Sequence, residues 1–414
     1  MWKGKKIGWL AVLIFLCWSW YASGSLVQKL SGYDNTIYIQ TQEDAVTARA
    51  FSQKIAQLQN AELSIPQWLL WKREEGQMVS GAWQRQASGQ IIRYLGNPDL
   101  LYTEQMLLGS WPINDQGCVV DTKLADQLWG STQVLGQTLT CGGQSYTVTG
   151  VLPDAGAVGY LPESAEGTFS HLLLDMAGQL SGVYAASQVL QQMGISSQVC
   201  YDYGLWAFAA ACAQSLSGCV LWLYLLVQGI RLLRKLTAAP ILMLLGVGGV
   251  LLSLAVLGWC VGFPSVPEAL IPSRWSDFSF WAEQMQQLTG SLKHFLTDGG
   301  AQWEISFWAD LAKCALLSGG SLVVLGFGLE HWKPCPLRTI YVTCAGWWAG
   351  LVLLSIQNSQ SVYAMPELGT WLTVPVFLGL SHGLRTAQNR LFAERKEDAC
   401  HAASEKPQIP LEIS

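Results

Sequence analysis

The chain has 414 residues, 50% of them hydrophobic and only 13% charged, with 20 tryptophans and a formal net charge of −5. Soluble domains carry about 25% charged residues, and Trp collects at membrane–water interfaces, so the composition is that of a membrane protein. The negative balance argues against nucleic acid as a partner, and the length leaves room for one folded domain beside a membrane bundle.

Residues 1–6 carry Lys3, Lys5 and Lys6, and residues 7–21 are uncharged and apolar. That pattern fits either a cleaved signal peptide or a retained anchor. Ala22-Ser23-Gly24 would serve as a cleavage site, whereas Leu16 before Cys17 excludes a lipoprotein. Residues 25–204 have ordinary globular character. Residues 36–40 alternate like a strand. Residues 43–58 read as an amphipathic helix with Val46, Ala50, Ile55 and Leu58 on one side. Residues 63–71 and 89–95 are strand-like.

Residues 117–153 read GCVVDTKLADQLWGSTQVLGQTLTCGGQSYTVTGVLP. An apolar run ends at Asp121, a good helix N-cap, and Leu124, Leu128 and Trp129 share one face of the helix that Gly130 stops. Two β-branched runs, 134–139 and 145–152, flank Cys141-Gly142-Gly143-Gln144 as strand, turn, strand. Tyr146 and Val148 alternate with Thr147 and Thr149, which predicts one buried face. Residues 171–176 and 197–203 are further strands, and 183–193 form a helix ended by Gly194. The domain is α+β.

This stretch resembles the MacB-like periplasmic core domain of ABC-transporter permeases in the MacB/FtsX group. The residues that carry the resemblance are Val119-Val120, Leu124-Ala125, Leu128-Trp129-Gly130, Leu135-Gly136, Tyr146, Val148, Gly150-Val151 and Pro153-Asp154. The resemblance implies a permease subunit that works with a separate ABC ATPase, with a second permease copy or paralogue as a further partner. It also implies that the first span is retained. That family's usual plan has three spans after the outer domain, whereas five follow it here.

Those five are residues 205–227, 240–261, 307–329, 337–356 and 368–384, the last containing Pro375. Lys and Arg concentrate in alternate segments: Lys3, Lys5 and Lys6; Arg231, Arg234 and Lys235; Lys333 and Arg338; and Arg385 onward. By the positive-inside rule both termini are cytoplasmic and residues 25–204 lie outside. In the outer loop 264–303, Phe278, Trp281, Met285, Leu288, Leu292 and Phe295 form an apolar seam on one helix. That helix is interfacial, docked beneath the domain, or packed on the bundle. The tail 385–414 is polar and reads as disordered.

No phosphate loop, HExxH or GxSxG motif occurs in the chain. No catalytic residue, cofactor or metal site is expected, and the five histidines are far apart in sequence. Asp310 and Lys313 form a self-neutralising pair near the outer end of a span. Cys118 and Cys141, outside and beside strands, are a candidate disulfide. Arg231, Arg234 and Lys235 either hold span orientation or dock an ATPase.

The fold expected is thus a multi-pass α-helical cell-membrane protein of six spans, with an α+β extracytoplasmic domain between spans 1 and 2. Its parts are an anchor (1–24), the MacB-like domain (25–204), spans 2 and 3 (205–263), the outer loop (264–303), spans 4 to 6 (304–384) and the tail (385–414). The functional expectation is a permease-like subunit without catalysis of its own. A membrane-anchored binding or scaffold protein is the alternative, and a membrane enzyme fits least.

Overall fold

The structure, a computed structural model, describes residues 2–41, 46–61, 65–81, 85–102, 106–153, 156–164, 166–177, 182–234, 240–272, 278–330, 337–358 and 367–404. Helix α1 (Trp2–Leu30) runs unbroken past Ala22-Ser23-Gly24. A single 3-10 turn (Ser31–Tyr33) then feeds it into β1 (Thr36–Gln40). The domain continues with β2 (Val46–Thr47), α2 (Ala48–Asn60), β3 (Gln67–Ser80), β4 (Gln86–Gly96) and β5 (Leu108–Gly109). Next come β6 (Gly117–Asp121), α3 (Thr122–Trp129), β7 (Thr138–Cys141), β8 (Gln144–Leu152) and β9 (Val158–Pro162). It ends with β10 (Thr168–Phe169), β11 (His171–Asp175), α4 (Val183–Met193) and β12 (Val199–Asp202).

The domain has two ends built on one long hairpin. The first halves of β3 and the second half of β4 belong to an open antiparallel sheet in the order β12-β1-β11-β3-β4. The far end of β3 (Val79 and Ser80), together with Gln90–Tyr94 of β4, also closes a barrel. From β4 the ring passes through β9, β6, β8 and β7, and β7 returns to β3 where Cys141 stands opposite Val79. The register of β3 shifts between Glu74 and Gln77, where Gly76 takes a positive φ of 65°. Such a bulge bends a strand and lets it serve both ends.

The motif read from the sequence builds the barrel. Asp121 is buried; its Oδ1 accepts from the Leu124 N–H at 2.7 Å and its Oδ2 from the Ala157 N–H at 2.6 Å. One carboxylate therefore caps α3 and ties β6 to the entry of β9. Gly142 and Gly143 have φ of 58° and 79°, the left-handed pair that a two-residue hairpin turn requires. Leu124, Ala125 and Leu128 join Val79, Ile91, Val120, Val148 and Leu161 in the barrel's apolar interior. Trp129 is only half-buried, against Gly81 at the edge of that cluster.

Several expectations shift. α2 starts at Ala48, not residue 43, with Thr47 as its N-cap, and buries Ala48, Phe51 and Ile55 while Ala50 is exposed. Residues 42–45 lie outside the described ones. β7 begins at Thr138, because Gly136 takes a positive φ of 79° in a turn before it. β9 was not foreseen; it is buried at four consecutive positions, so no alternation marks it.

Beyond the domain lie α5 (Gly204–Leu233), α6 (Pro240–Val261), α7 (Phe278–Asp298), α8 (Gln302–Glu330), α9 (Leu337–Gln357) and α10 (Leu368–Ser404). Among the described residues, five helices are long and apolar enough to cross a membrane: 11–33, 204–233, 243–261, 302–329 and 337–357. The sixth predicted span, within α10, is not among them. Thr370, Thr373, Ser381 and His382 dilute its apolar run. α10 also corrects the disordered tail, since it continues as helix through Ser404; residues 405–414 lie outside the described ones.

Candidate functional site

The two-residue period of the open sheet decides what each face touches. Ile37, Ile39, Leu70, Leu172 and Leu174 point to one face, where α2 and α4 cover them. Tyr38, Leu69, Trp71 and Leu173 point to the other. There they share one apolar cluster with Leu30, Ala207, Ala210, Trp303, Phe307, Trp308 and Cys314, residues of α1, α5 and α8. The domain and the membrane helices thus have a core in common.

Trp303 is the hub. Its ring lies 5.4 Å from Tyr203, 6.0 Å from Tyr33, 6.0 Å from Trp71 and 6.4 Å from Tyr38. The next residue, Glu304, caps the helix to which both belong. Glu304 Oε2 accepts from the Ala301 N–H at 2.8 Å, reaching back from N3 as in a capping box. Its Oε1 accepts from the Tyr203 hydroxyl at 2.8 Å. A carboxylate at this end also suits the helix dipole.

Polar contacts fasten α7 and the α7–α8 connection to the sheet. The Tyr38 hydroxyl lies 3.0 Å from His171 Nδ1 and 3.5 Å from His294 Nε2. One hydroxyl proton serves one imidazole, so the other ring must donate. Trp71 stacks on His171 with centroids 4.2 Å apart. Arg73 donates to the Gly300 carbonyl and, at 3.2 Å, to that of Asp298. Trp206 Nε1 donates to Ser291 Oγ at 2.9 Å, and the Gln302 N–H to Gln90 Oε1 at 3.0 Å. A cavity of about 450 Å³ opens among Tyr38, Arg73, His171, His294, Asp298 and Glu304.

Burial pulls His171 down to about 3, with the Arg73 charge adding to the effect, so its imidazole is neutral near pH 7. Burial raises the Tyr38 and Tyr203 hydroxyls, and the Glu304 charge raises them further. At the domain exit, burial lifts Asp202 to about 6 against the backbone N–H of Gly204 that it accepts.

Few of these residues were picked out from sequence. The five histidines are far apart in sequence, yet His171 and His294 meet at one tyrosine. Their signal was scattered, since the contacts link residues 133 and 256 apart in the chain. The Asp310–Lys313 pair forms at 2.9 Å, and the structure adds Lys29 of α1 at 2.6 Å. Arg231 and Arg234 are exposed in the last turn of α5 and just past it; Lys235 lies outside the described residues. Cys118 and Cys141 are buried, separate thiols. β8 lies between their strands, which sets those about 9–10 Å apart, past the ~7 Å Cα limit of a disulfide. Burial pushes Cys118 up to about 12 and raises Cys141, as expected of unreactive core thiols.

A folded outer domain that shares its core with apolar helices of spanning length defines a membrane protein with a large extramembrane module. The family model of the MacB-like periplasmic core domain matches residues 6–191, and those residues carry such a domain. No curated protein matches the chain. Among solved structures, the chain is similar to the periplasmic region of MacB from Actinobacillus actinomycetemcomitans, at 12% identity and a TM-score of 0.35, covering 43% of this chain and 94% of that one. It is similar to the extracellular domain of the noncanonic ABC-type transporter YknZ from Gram-positive bacteria, at 20% identity and a TM-score of 0.30, covering 39% and 96%. A domain of a putative permease protein from Porphyromonas gingivalis matches at 14% identity and a TM-score of 0.29, covering 39% and 83%.

Proposed function

We propose that the chain is the permease-like membrane subunit of an ABC-type transporter or mechanotransmission complex. ATP is hydrolysed on a separate subunit, and the outer domain couples to a substrate or to a partner outside the membrane. The observation that carries this reading is the shared core. A shift of α1, α5 or α8 repacks Trp303, Phe307 and Trp308, and these residues are packed with Tyr38 and Trp71 of the sheet. Interiors packed at crystal-like density transmit such displacements. The MacB-like match of residues 6–191 supports the same reading.

In this reading α10 is the sixth crossing, with Phe377 and Leu378 buried in the bundle core. α1 is retained, because Cys17, Trp20 and Tyr21 belong to that core. Both termini are cytoplasmic and residues 25–204 lie outside. Single cysteines at Ser88 and Ser404 in a cysteine-free background test this: an impermeant reagent applied to intact cells labels position 88 only, and labelling at 404 overturns the topology.

Arg231, Arg234 and Lys235 dock the ATPase. Arg234→Glu leaves two cations to hold orientation, so the variant reaches the membrane with its domain outside but loses an ATPase that co-purifies with wild type. If no ATPase accompanies wild type in mild detergent, the membrane-anchored binding module replaces this reading.

A further inference from the structure

The seam expected along α7 is split in the structure. Leu288 and Phe295 turn inward, and Phe295 stacks on Trp308 of α8 with centroids 5.4 Å apart. Phe278, Met285 and Leu292 stay 82%, 60% and 38% exposed, joined by Leu296 at 71%. These four side chains lie on one face of the helix, seven or four residues apart.

At 3.6 residues per turn, the order of contacts around α7 is fixed. Gly290 and His294 face the domain, against Tyr201 and Tyr38. Ser291 and Phe295 come next, against Trp206 and Trp308 in the domain-side turns of α5 and α8. The exposed apolar stripe follows directly on from these span contacts. Gln286, Thr289, Lys293 and Thr297 then form an exposed polar side that leads back to the domain. The stripe is therefore on the side that continues the spans, opposite the domain. One helix over, α5 and α8 expose the same kind of surface through Leu216, Leu223, Ile305 and Leu316.

We infer that α7 lies in the outer membrane–water interface, with Phe278, Met285, Leu292 and Leu296 inserted among the acyl chains of the outer leaflet. Apolar area held in water is costly, and an amphipathic helix removes that cost by lying in the interface. The polar side, with Lys293, is then at headgroup level. The partner is the lipid surface itself, and it acts on the junction directly: the helix that rests on the bilayer also presents His294 to Tyr38 and Ser291 to Trp206. The inference requires that α5 and α8 cross the membrane and does not depend on an ATPase.

Photo-crosslinking in the full chain tests it. Benzoylphenylalanine is placed singly at Met285, Leu296, Thr289 and Lys293, all exposed, and at Leu316 in the span as a control. The protein is reconstituted in phosphatidylcholine vesicles that contain an alkyne-tagged acyl chain. Positions 285 and 296 are expected to give lipid adducts comparable to 316 and several-fold stronger than 289 and 293. Strong labelling at 316 with none at 285 and 296 overturns the inference and leaves the spans intact. Protein–protein adducts at 285 and 296 overturn it in favour of a second copy covering the stripe. No labelling at 316 overturns the span assignment, and the inference with it.

Discussion

The barrel interior and the junction cluster are both apolar and both fully buried, but they differ in ownership. Every residue of the barrel interior lies between Val79 and Leu161, inside the outer domain. The junction cluster draws on β1, β3, β4 and β11, on one face of the barrel strands β6, β8 and β9, and on α1, α5 and α8. The barrel interior is therefore covered by the domain's own residues, whereas the junction face is buried only while the spans are in place. The difference teaches where motion can pass. A force on the spans reaches the sheet through packed aromatics, and it reaches the barrel through Val119, Leu152, Val158 and Tyr160 on its strands as well as through β3, which bends at Gly76.

The sharpest way to break this comparison is to cut each cluster in the full chain and watch the other. Trp303→Ala removes the hub of the junction; losses of about 3–5 kcal/mol are usual for a buried Trp. Hydrogen exchange should rise in β1, β11 and α7 and stay low in α3 and β7, whose buried residues belong to the barrel interior alone. Loss of protection there as well would make the two clusters one unit. Leu128→Ala should do the reverse, at a cost of about 2–5 kcal/mol, with the barrel loosened and the junction unmoved.

Acid sharpens the junction side. His171 has a folded pKa of about 3 against an ordinary 6.5, so the unfolded state binds the extra proton between those values. Its contribution is fully present above pH 6.5 and is lost as pH falls towards 3. Asp202, raised to about 6, works in the opposite sense: its folded form holds the proton longer, and the chain gains stability as pH falls from 6 towards 3.8. Comparing His171→Gln with wild type isolates the first effect. Between pH 7 and 5 wild type should lose up to about 2 kcal/mol more than the variant, read as a difference in thermal midpoint. Parallel pH curves would place His171 outside the junction's energetics.

Smaller effects test the barrel side. Trp129 was expected in the core and is half-buried at its edge, so Trp129→Ala should cost about 1 kcal/mol, well below Leu128→Ala. The thiols should add nothing: unfolded without reductant, Cys118 and Cys141 should alkylate separately, and a linked peptide in mass spectrometry would mean that the strands around β8 rearrange.

What could be read from sequence follows the same division. The barrel motif was legible because its signals are local: Asp121 caps, Gly130 stops, and Gly142-Gly143 turns, each within a few residues of what it controls. Its closure was not, because β9 runs parallel to β4 from more than sixty residues away and shows no alternation. Five of the six expected spans were legible by length and hydropathy; the sixth, in α10, is not among the described helices long and apolar enough to cross. The junction was not, because Tyr38, His171 and the pair Trp303-Glu304 come from three separated stretches and none was marked by a motif. Lys29 carries no local signal for a similar reason: it closes α1, and its acidic partner Asp310 is 281 residues later, buried in α8.

The chain enters and leaves the outer domain through neighbours. β1 and β12 pair antiparallel, β1 follows α1 after one short turn, and β12 passes at Tyr203 directly into α5. The crossing is so tight that a Cβ at Gly204 would sit 2.0 Å from the Asp34 carbonyl oxygen. Topologically the domain is a detachable insert: its two ends could be joined by a tight turn and the helical hairpin of α1 and α5 would still close. Its floor is not detachable. A transplanted copy would need a host whose helices offer Trp303, Phe307 and Trp308 in the same place, so recombination that moved the domain alone would leave its floor without a partner.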